Sequence, residues 1–382
     1  MVEDSASVLI TGDFFGGNRT AALIARGEND ALFGDFRRFV QQADFAITNL
    51  ESPLTKGSVP IVKTGPAIKA DPKSAGSLAY AGFKMVSLAN NHIMDYGQGG
   101  LEETLDTLRQ NNLSYVGAGS SLEKAAEPFQ SSMKGVKISI LNFAENEWST
   151  TITAGAGANP IDPLRNYNSI KSAKTKSDRV IVITHGGHEM YPLPSPHMKR
   201  LFRFFVDAGA DAVINHHPHC VAGYEVYNSA PIFYSVGNFV FDNKVRHHSF
   251  WNEGMAVLLE LSKRRITFDL IHFNQNDERV GVRLSNEEEL EERTIRIGKL
   301  NDIIAADSRL ENAFEEYVDH QRKMYDAFIE PHQSRIVSAM QNRKWFPSLW
   351  SREKKRLLLN LIRCEAHRDV LQRILERECS HP

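Results

Sequence analysis

Up to about residue 280 the hydrophobic positions come in short, nearly unbroken blocks, and the stretches between them alternate glycine-bearing turns with helical spacing. The blocks predict strands at residues 8–13, 44–51, 83–88, 114–117 and 136–143, then at 179–184, 211–215, 232–241, 255–261 and 266–273. Helical spacing falls at 19–26, at 197–208, and from about Gln98, with Leu101, Leu105 and Leu108 on one face. A further helix is expected at 71–82, where Asp71 is placed to cap it and Pro72 takes the first helical position. The segment 149–159, rich in Thr, Gly and Ala, reads as a loop and a candidate lid. Strands alternating with helices early and clustering late indicate a layered α/β core with a mixed sheet. Near residue 286 the pattern changes. An acidic run from Glu287 to Glu292 opens a charged helical tail, in which Leu357, Leu361, Leu371 and Leu375 are spaced for an apolar face. The expected division is a core of 1–285 and a helical extension of 286–382.

Composition narrows the class. The chain has 382 residues, 42% hydrophobic and 24% charged, which is ordinary for a globular protein. A net charge of -2 supplies no general basic field, so no nucleic-acid partner is expected. Cys220, Cys364 and Cys379 are too scattered for a disulfide framework or a CxxC metal pair, which fits a reducing compartment. The opening residues carry no basic-then-apolar leader, and no apolar run approaches about 18 residues. A cytoplasmic location is the expectation.

The polar chemistry collects where strands end. Asp13, then Asn49 and Glu51, then Asn91, His92 and Asp95, then His185 and Glu189, and finally His216, His217 and His219 each follow an expected strand. Ligands gather at such carboxyl ends in open α/β sheets. Taken singly, each group has an ordinary reading: Asp13 and Glu51 as turn or capping residues, His185 as a satisfied core histidine, 91–95 as an Asx-type turn. Repetition at successive strand ends favours a shared site. Carboxylate oxygen with imidazole nitrogen suits Mn, Fe or Zn, and Pro218 stiffens the turn between the His217 and His219 rings. Two divalent ions bridged by a carboxylate can bind both oxygens of a phosphate and acidify a water. Such chemistry also needs a proton donor. His92 backed by Asp95 is placed to be one, with Asn49 or Glu189 holding the ligands.

Gly12-Asp13, Asn49-Leu-Glu51-Ser-Pro-Leu-Thr55, Ser87-Leu-Ala-Asn-Asn-His92 with Asp95-Tyr-Gly97, His185 with Glu189, His216-His-Pro-His219 and Tyr234-Ser-Val-Gly-Asn-Phe239 follow one another in a familiar order. Over about residues 6–262 the chain resembles the capsule-biosynthesis, poly-γ-glutamate-synthesis (CapA-type) family of the calcineurin-like metallophosphoesterase superfamily. The resemblance implies a four-layer α/β/β/α sandwich with one or two divalent ions (Mn, Fe or Zn) at the strand ends. It implies that Asp13 binds one metal and that Glu51 stands where the bridging aspartate usually sits. Asn91 would bind the second metal with His185 and His217, His219 would complete the first site, and His92 would be the general acid. Lys63 and Lys69 fall where the family carries basic residues. With Asn49, His216 and Glu189 they are candidates to meet an anionic small-molecule or polymer substrate, and for both lysines a solvated surface position is the alternative. Two departures stand out: Phe15 stands at the second ligand position of the superfamily's Asp-x-His motif, and His185-Gly-Gly-His-Glu189 lacks the Trp common after the family's His. The function implied is a phosphoesterase-like, metal-dependent hydrolase in surface-polymer synthesis. The alternative is a non-hydrolytic component of a polymer synthesis or export complex. Outside the resemblance, bases mix with aromatics from Arg343 to Arg356, which suits either peripheral contact with an anionic membrane or packing on the core.

Overall fold

The computed structural model describes residues 5–151, 155–243, 249–329, 340, 343, 345 and 350–380. The apolar blocks of the first half become β1 (Ala6–Phe15), β2 (Phe45–Leu50), β3 (Met85–Ser87), β4 (Ser114–Val116), the short β5 (Ala118–Gly119), β6 (Phe129–Met133) and β7 (Val136–Ala144). Those of the second become β8 (Gly157–Ala158), β9 (Arg179–His185), β10 (Ala212–His216), β11 (Tyr224–Tyr227), β12 (Ala230–Phe233), β13 (Asn238–Phe241), β14 (Glu253–Leu261), β15 (Ile266–Gln275) and β16 (Val282–Leu284). One sheet runs β16-β15-β14-β1-β2-β3-β4, with β1 to β4 parallel and β13 laid parallel to the end of β1. The other runs β11-β12-β10-β9-β7-β6, with four parallel inner strands between antiparallel edges.

Alternation along the strands decides the layers. Val8 and Ile10 share a core with Ile138, Ile181 and Ile214 of the facing sheet, whereas Leu9 joins Ile24, Leu78 and Leu105 of the helices outside. On β9, Ile181 and Ile183 fill the space between the sheets, and Val180 and Val182 pack with Ile170, Phe202 and Phe205 of outer helices. Each such side chain fully buried contributes about 1.5–3 kcal/mol. The architecture is a four-layer α/β/β/α sandwich.

Several details differ from the expectation. The apolar run 232–241 is not one strand: β12 ends in one sheet and β13 begins in the other, and Gly237 (φ 71) turns the chain between them. Gly12 is the reciprocal requirement, because a Cβ there would stand 1.9 Å from the Gly237 carbonyl oxygen. The helix after Asp71 begins at Lys73, whose N–H the Asp71 carboxylate accepts at 2.9 Å. The candidate lid is pinned: Ala158 donates to the Ser149 carbonyl at 2.7 Å, and β8 pairs with β5, while residues 152–154 lie outside the described set.

In the tail, helix Glu287–Ala305 is anchored by Arg293, which is buried and donates to the Phe273 carbonyl and the Asn274 side chain. Leu361 is buried and Leu357 and Leu371 half-buried against Phe314, Val318 and Tyr325, but Leu375 stays exposed, so the expected apolar face is shorter than its leucine spacing. Of the basic and aromatic stretch, Lys344 and residues 346–349 lie outside the described residues. No described helix is long and apolar enough to cross a membrane.

Candidate metal centre

Both sets of parallel strands point their carboxyl ends at one place. Asp13 stands opposite Asn49 and Asn238, Asn49 opposite Ser87, and His185 opposite His216. Just beyond these registers, the turns deliver Glu51, Asn91 and the two histidines around Pro218. His217 (φ 97) and His219 (φ 56) hold positive φ without being glycine. Such backbone costs on the order of 1–3 kcal/mol and persists where a site demands it.

Two groups of ligand atoms result, each within 4.8 Å: Glu51, His185 and His217, and Asp13, Glu51 and His219. Glu51 belongs to both. Asn91 Oδ1 lies 3.1 Å from His185 Nε2, and His217 Nδ1 lies 3.2 Å from the same nitrogen. His219 Nδ1 is 2.9 Å from Asn238 Oδ1 and 3.3 Å from Asp13 Oδ2, and its Nε2 is 3.5 Å from Glu51 Oε1.

Burial sets the charges. It pushes Glu51 well above the usual carboxylate range, with Asp13 and Glu189 adding to the push. Burial acts the same way on Asp13, but its hydrogen bond to His219 and the surrounding imidazoles hold it below that range. Burial depresses His185 strongly and His217 to about 4, so both present neutral lone pairs at pH 7. For His219 burial is outweighed by Asp13, which keeps the imidazole above its ordinary value. Neither Glu51 oxygen meets a hydrogen-bond donor among the described residues. A buried carboxylate so exposed to desolvation costs several kcal/mol. These orphaned oxygens, flanked by neutral imidazoles, fit a divalent cation.

The family model described as bacterial capsule synthesis protein PGA_cap matches residues 7–243. The chain belongs to that family. It is 30% identical over 253 residues to the capsule biosynthesis protein CapA of Bacillus anthracis and 32% identical over 244 residues to the PGA biosynthesis protein CapA of Bacillus subtilis, each match covering 63% of this chain. The matches span 60% and 64% of those relatives, under two thirds of their length. Among solved structures, a hypothetical protein from Thermus thermophilus aligns with a TM-score of 0.44 at 15% identity, covering 70% of this chain and 99% of that one.

Every residue of both ligand groups lies inside the PGA_cap span. So does His92, whose Nδ1 is 2.6 Å from Asp95 Oδ2 and 3.2 Å from Lys63 Nζ. Lys63 also pairs with Asp95, and the Ile68 N–H donates to the same carboxylate at 2.7 Å. Lys69 is placed elsewhere, donating to the Gly57 carbonyl and lying 5.0 Å over the Tyr96 ring. Glu189 is exposed at the rim, its charge acting on Glu51 and His217. Asn49 and His216 are not where a substrate contact must be. Both are 1% exposed; Asn49 donates to Asp13 Oδ1 at 2.8 Å, and the His216 ring lies 2.9 Å from the Thr11 carbonyl between the sheets. Phe15 packs 4.9 Å from Phe241, so the motif's missing imidazole is replaced by an aromatic contact.

Sequence reasoning passed over three groups. Asn238 fixes His219, and only its place after Gly237 in a quoted motif hinted at it. Trp251, beyond the family match, packs against the His219 ring, tilted by 39° with centroids 4.6 Å apart. Glu147 follows β7 and feels Lys63, Glu189 and Asp95, burial pushing it up to about 7. No spacing or motif marked the last two.

Proposed function

We propose that this chain is a metal-dependent hydrolase of a phosphoester, or a related ester or amide linkage, serving the synthesis of a bacterial surface polymer. The observation that carries the reading is the pair of ligand groups joined through Glu51, whose buried oxygens lack donors. Asp13, Glu51 and His219 would hold one ion, and Glu51, His185 and His217 with Asn91 the other. Divalent ions in those places supply Lewis-acid polarisation of a substrate oxygen and a more acidic water.

The remaining work falls to the chain's own side chains. Asp95 engages His92 Nδ1, which leaves Nε2 to exchange a proton with the substrate. Burial and the Lys63 cation lower the His92 pKa despite Asp95, so a negatively charged leaving group beside it is what would bring it into range as an acid. Lys63 offers a positive charge at the same point, and Asn49 orients both Asp13 and, at 3.3 Å, His185. Membership of the PGA_cap family supports an anionic substrate drawn from polymer synthesis.

A second reading rests on Phe15. With no imidazole there, the first ligand group has three members, which favours a single-ion site or a non-hydrolytic binding component. Metal content of protein prepared without chelator separates the readings. About two equivalents, falling in His217→Ala, with phosphoester turnover lost but metal kept in His92→Ala, supports the hydrolase. No metal under any loading condition overturns it.

A further inference from the structure

The tail lies outside the PGA_cap match, yet it reaches the mouth of the candidate metal site. The junction of helices Arg352–Arg363 and Glu365–Ser380 sits on the loops that follow β7 and β9. Glu365, itself buried, accepts from the Asn146 backbone N–H at 2.9 Å and from the Asn146 amide at 2.8 Å. Arg363 donates to the Glu147 carbonyl at 2.8 Å, and its guanidinium lies 5.9 Å from the Trp148 ring centroid. His188 Nε2 lies 2.9 Å from the Ala366 carbonyl, and Ser195 donates to Asp369 at 2.8 Å, which seats the last helix beside the β9 loop.

The other side of the same segment faces the site. Trp148 Nε1 donates to Thr64 Oγ1 at 2.8 Å, next to Lys63, and the Met94 N–H donates to Ser149 Oγ at 3.1 Å, between His92 and Asp95. Residues 146–149 therefore lie clamped between the tail and the two loops that carry Lys63 and His92. The Glu147 carboxyl is near enough to Lys63, Asp95 and Glu189 to feel each of them.

We propose that Arg363 and Glu365 are positioning residues: they fix 146–149 as one wall of the site's mouth and limit entry to compact terminal groups of an anionic substrate. The substrate consequence rests on the hydrolase reading; the wall does not. A wall tied at both faces resists spreading for a bulky diester. Loss of either tail contact frees the wall without touching a ligand residue.

The test compares the full-length wild type with Arg363→Ala, Arg363→Lys and Glu365→Gln, all loaded with Mn. Hydrogen exchange at 146–151 and at 60–68 is expected to rise about tenfold in Arg363→Ala and Glu365→Gln. Exchange within β1 and β9 and the metal content are expected to stay unchanged, and Arg363→Lys to recover part of the protection. With p-nitrophenyl phosphate and bis(p-nitrophenyl) phosphate as probes, the diester-to-monoester ratio of kcat/KM is expected to rise about fivefold, through KM. Unchanged exchange at 60–68, or exchange that rises equally in β1 and β9, overturns the wall. An unchanged ratio overturns its role in selection. If the wild type turns over neither probe, the hydrolase reading fails for these phosphoesters and the selection claim with it, while exchange still decides the wall.

Discussion

The two halves of the candidate metal site share Glu51 and differ in how they keep their charge. In the half built on His185 and His217, burial holds both imidazoles neutral, and the Asn91 amide adds an uncharged oxygen. In the half built on Asp13 and His219, the carboxylate is held low and the imidazole above its ordinary value, each favouring the charged form of the other. Asn238 fixes that imidazole, and Phe15, Phe241 and Trp251 close around the region. The His185 and His217 half presents imidazoles with no proton to lose. In the Asp13 and His219 half the imidazole favours a proton. An ion in either half must displace a proton from the shared Glu51, whose pKa is raised, and an ion beside Asp13 competes with the His219 proton as well, so affinity in that half should depend more steeply on pH.

Removing the shared member is the largest perturbation. Glu51→Gln is expected to abolish binding in both halves, whereas His217→Ala and His219→Ala each remove one, as elemental analysis after Mn loading would report. The same change stabilises the metal-free fold. Glu51 has a raised folded-state pKa, so its contribution is fully present below the ordinary carboxylate value and is lost as pH rises through the raised one. The Glu51 contribution in the metal-free wild type should therefore fall with rising pH, opposite in sign to those of the depressed His185, His217 and Asp13, and Glu51→Gln should gain about 1–3 kcal/mol near pH 7 and remove that falling component. A Glu51→Gln protein that kept both ions would break the claim that the halves are joined. Next in size is His92→Ala: turnover is expected to fall about 10²–10⁴-fold with both ions retained. Equal loss of metal would mean that His92 supports the cluster and takes no part in proton transfer.

Much of this arrangement was legible because buried parallel strands write themselves as apolar blocks and five of the blocks here lead into side chains that can ligate or titrate. The layers follow from alternation that any strand of this kind must show, as at Val8, Leu9 and Ile10. The crossing at Gly237 was hidden because 232–241 is one continuous apolar run, and nothing in its composition records that β12 and β13 pair in different sheets. The depth of a polar residue was equally hidden: Asn49 and His216 have the chemistry of substrate contacts, but strand register places them behind the cluster and between the sheets. Lys63 could be marked only as a basic residue, since its closeness to His92 depends on the loop returning to the Asp95 carboxylate and carbonyl. The meeting of Asn146 with Glu365 lies 219 residues apart in sequence, and no local pattern encodes it.

A smaller effect tests the half whose imidazole favours a proton. Asn238→Ala removes the acceptor on His219 Nδ1, and affinity for the first ion is expected to fall about 10–100-fold while the second is unchanged. Titration of the metal-free protein with Mn, followed by bound equivalents, resolves the two steps; a matching loss in both would mean that Asn238 holds the crossing of β13 and nothing more specific.

The smallest effect asks whether the missing histidine or the aromatic wall sets the first half's affinity. Phe15 stands two residues beyond Asp13, is nearly buried, and crowds Gly17, where a Cβ would stand 2.1 Å from its ring. Phe15→His gives up ring packing against Phe241 and buries a polar ring, at a cost of about 1–3 kcal/mol in the metal-free protein. If the absent imidazole is what weakens this half, affinity for the first ion should rise severalfold, up to about tenfold, and part of the lost stability should return on Mn loading. If affinity stays level while stability falls, the wall of Phe15, Phe241 and Trp251 matters in its own right. It keeps water from the Asp13–His219 pair and strengthens their attraction, which favours the proton over the ion.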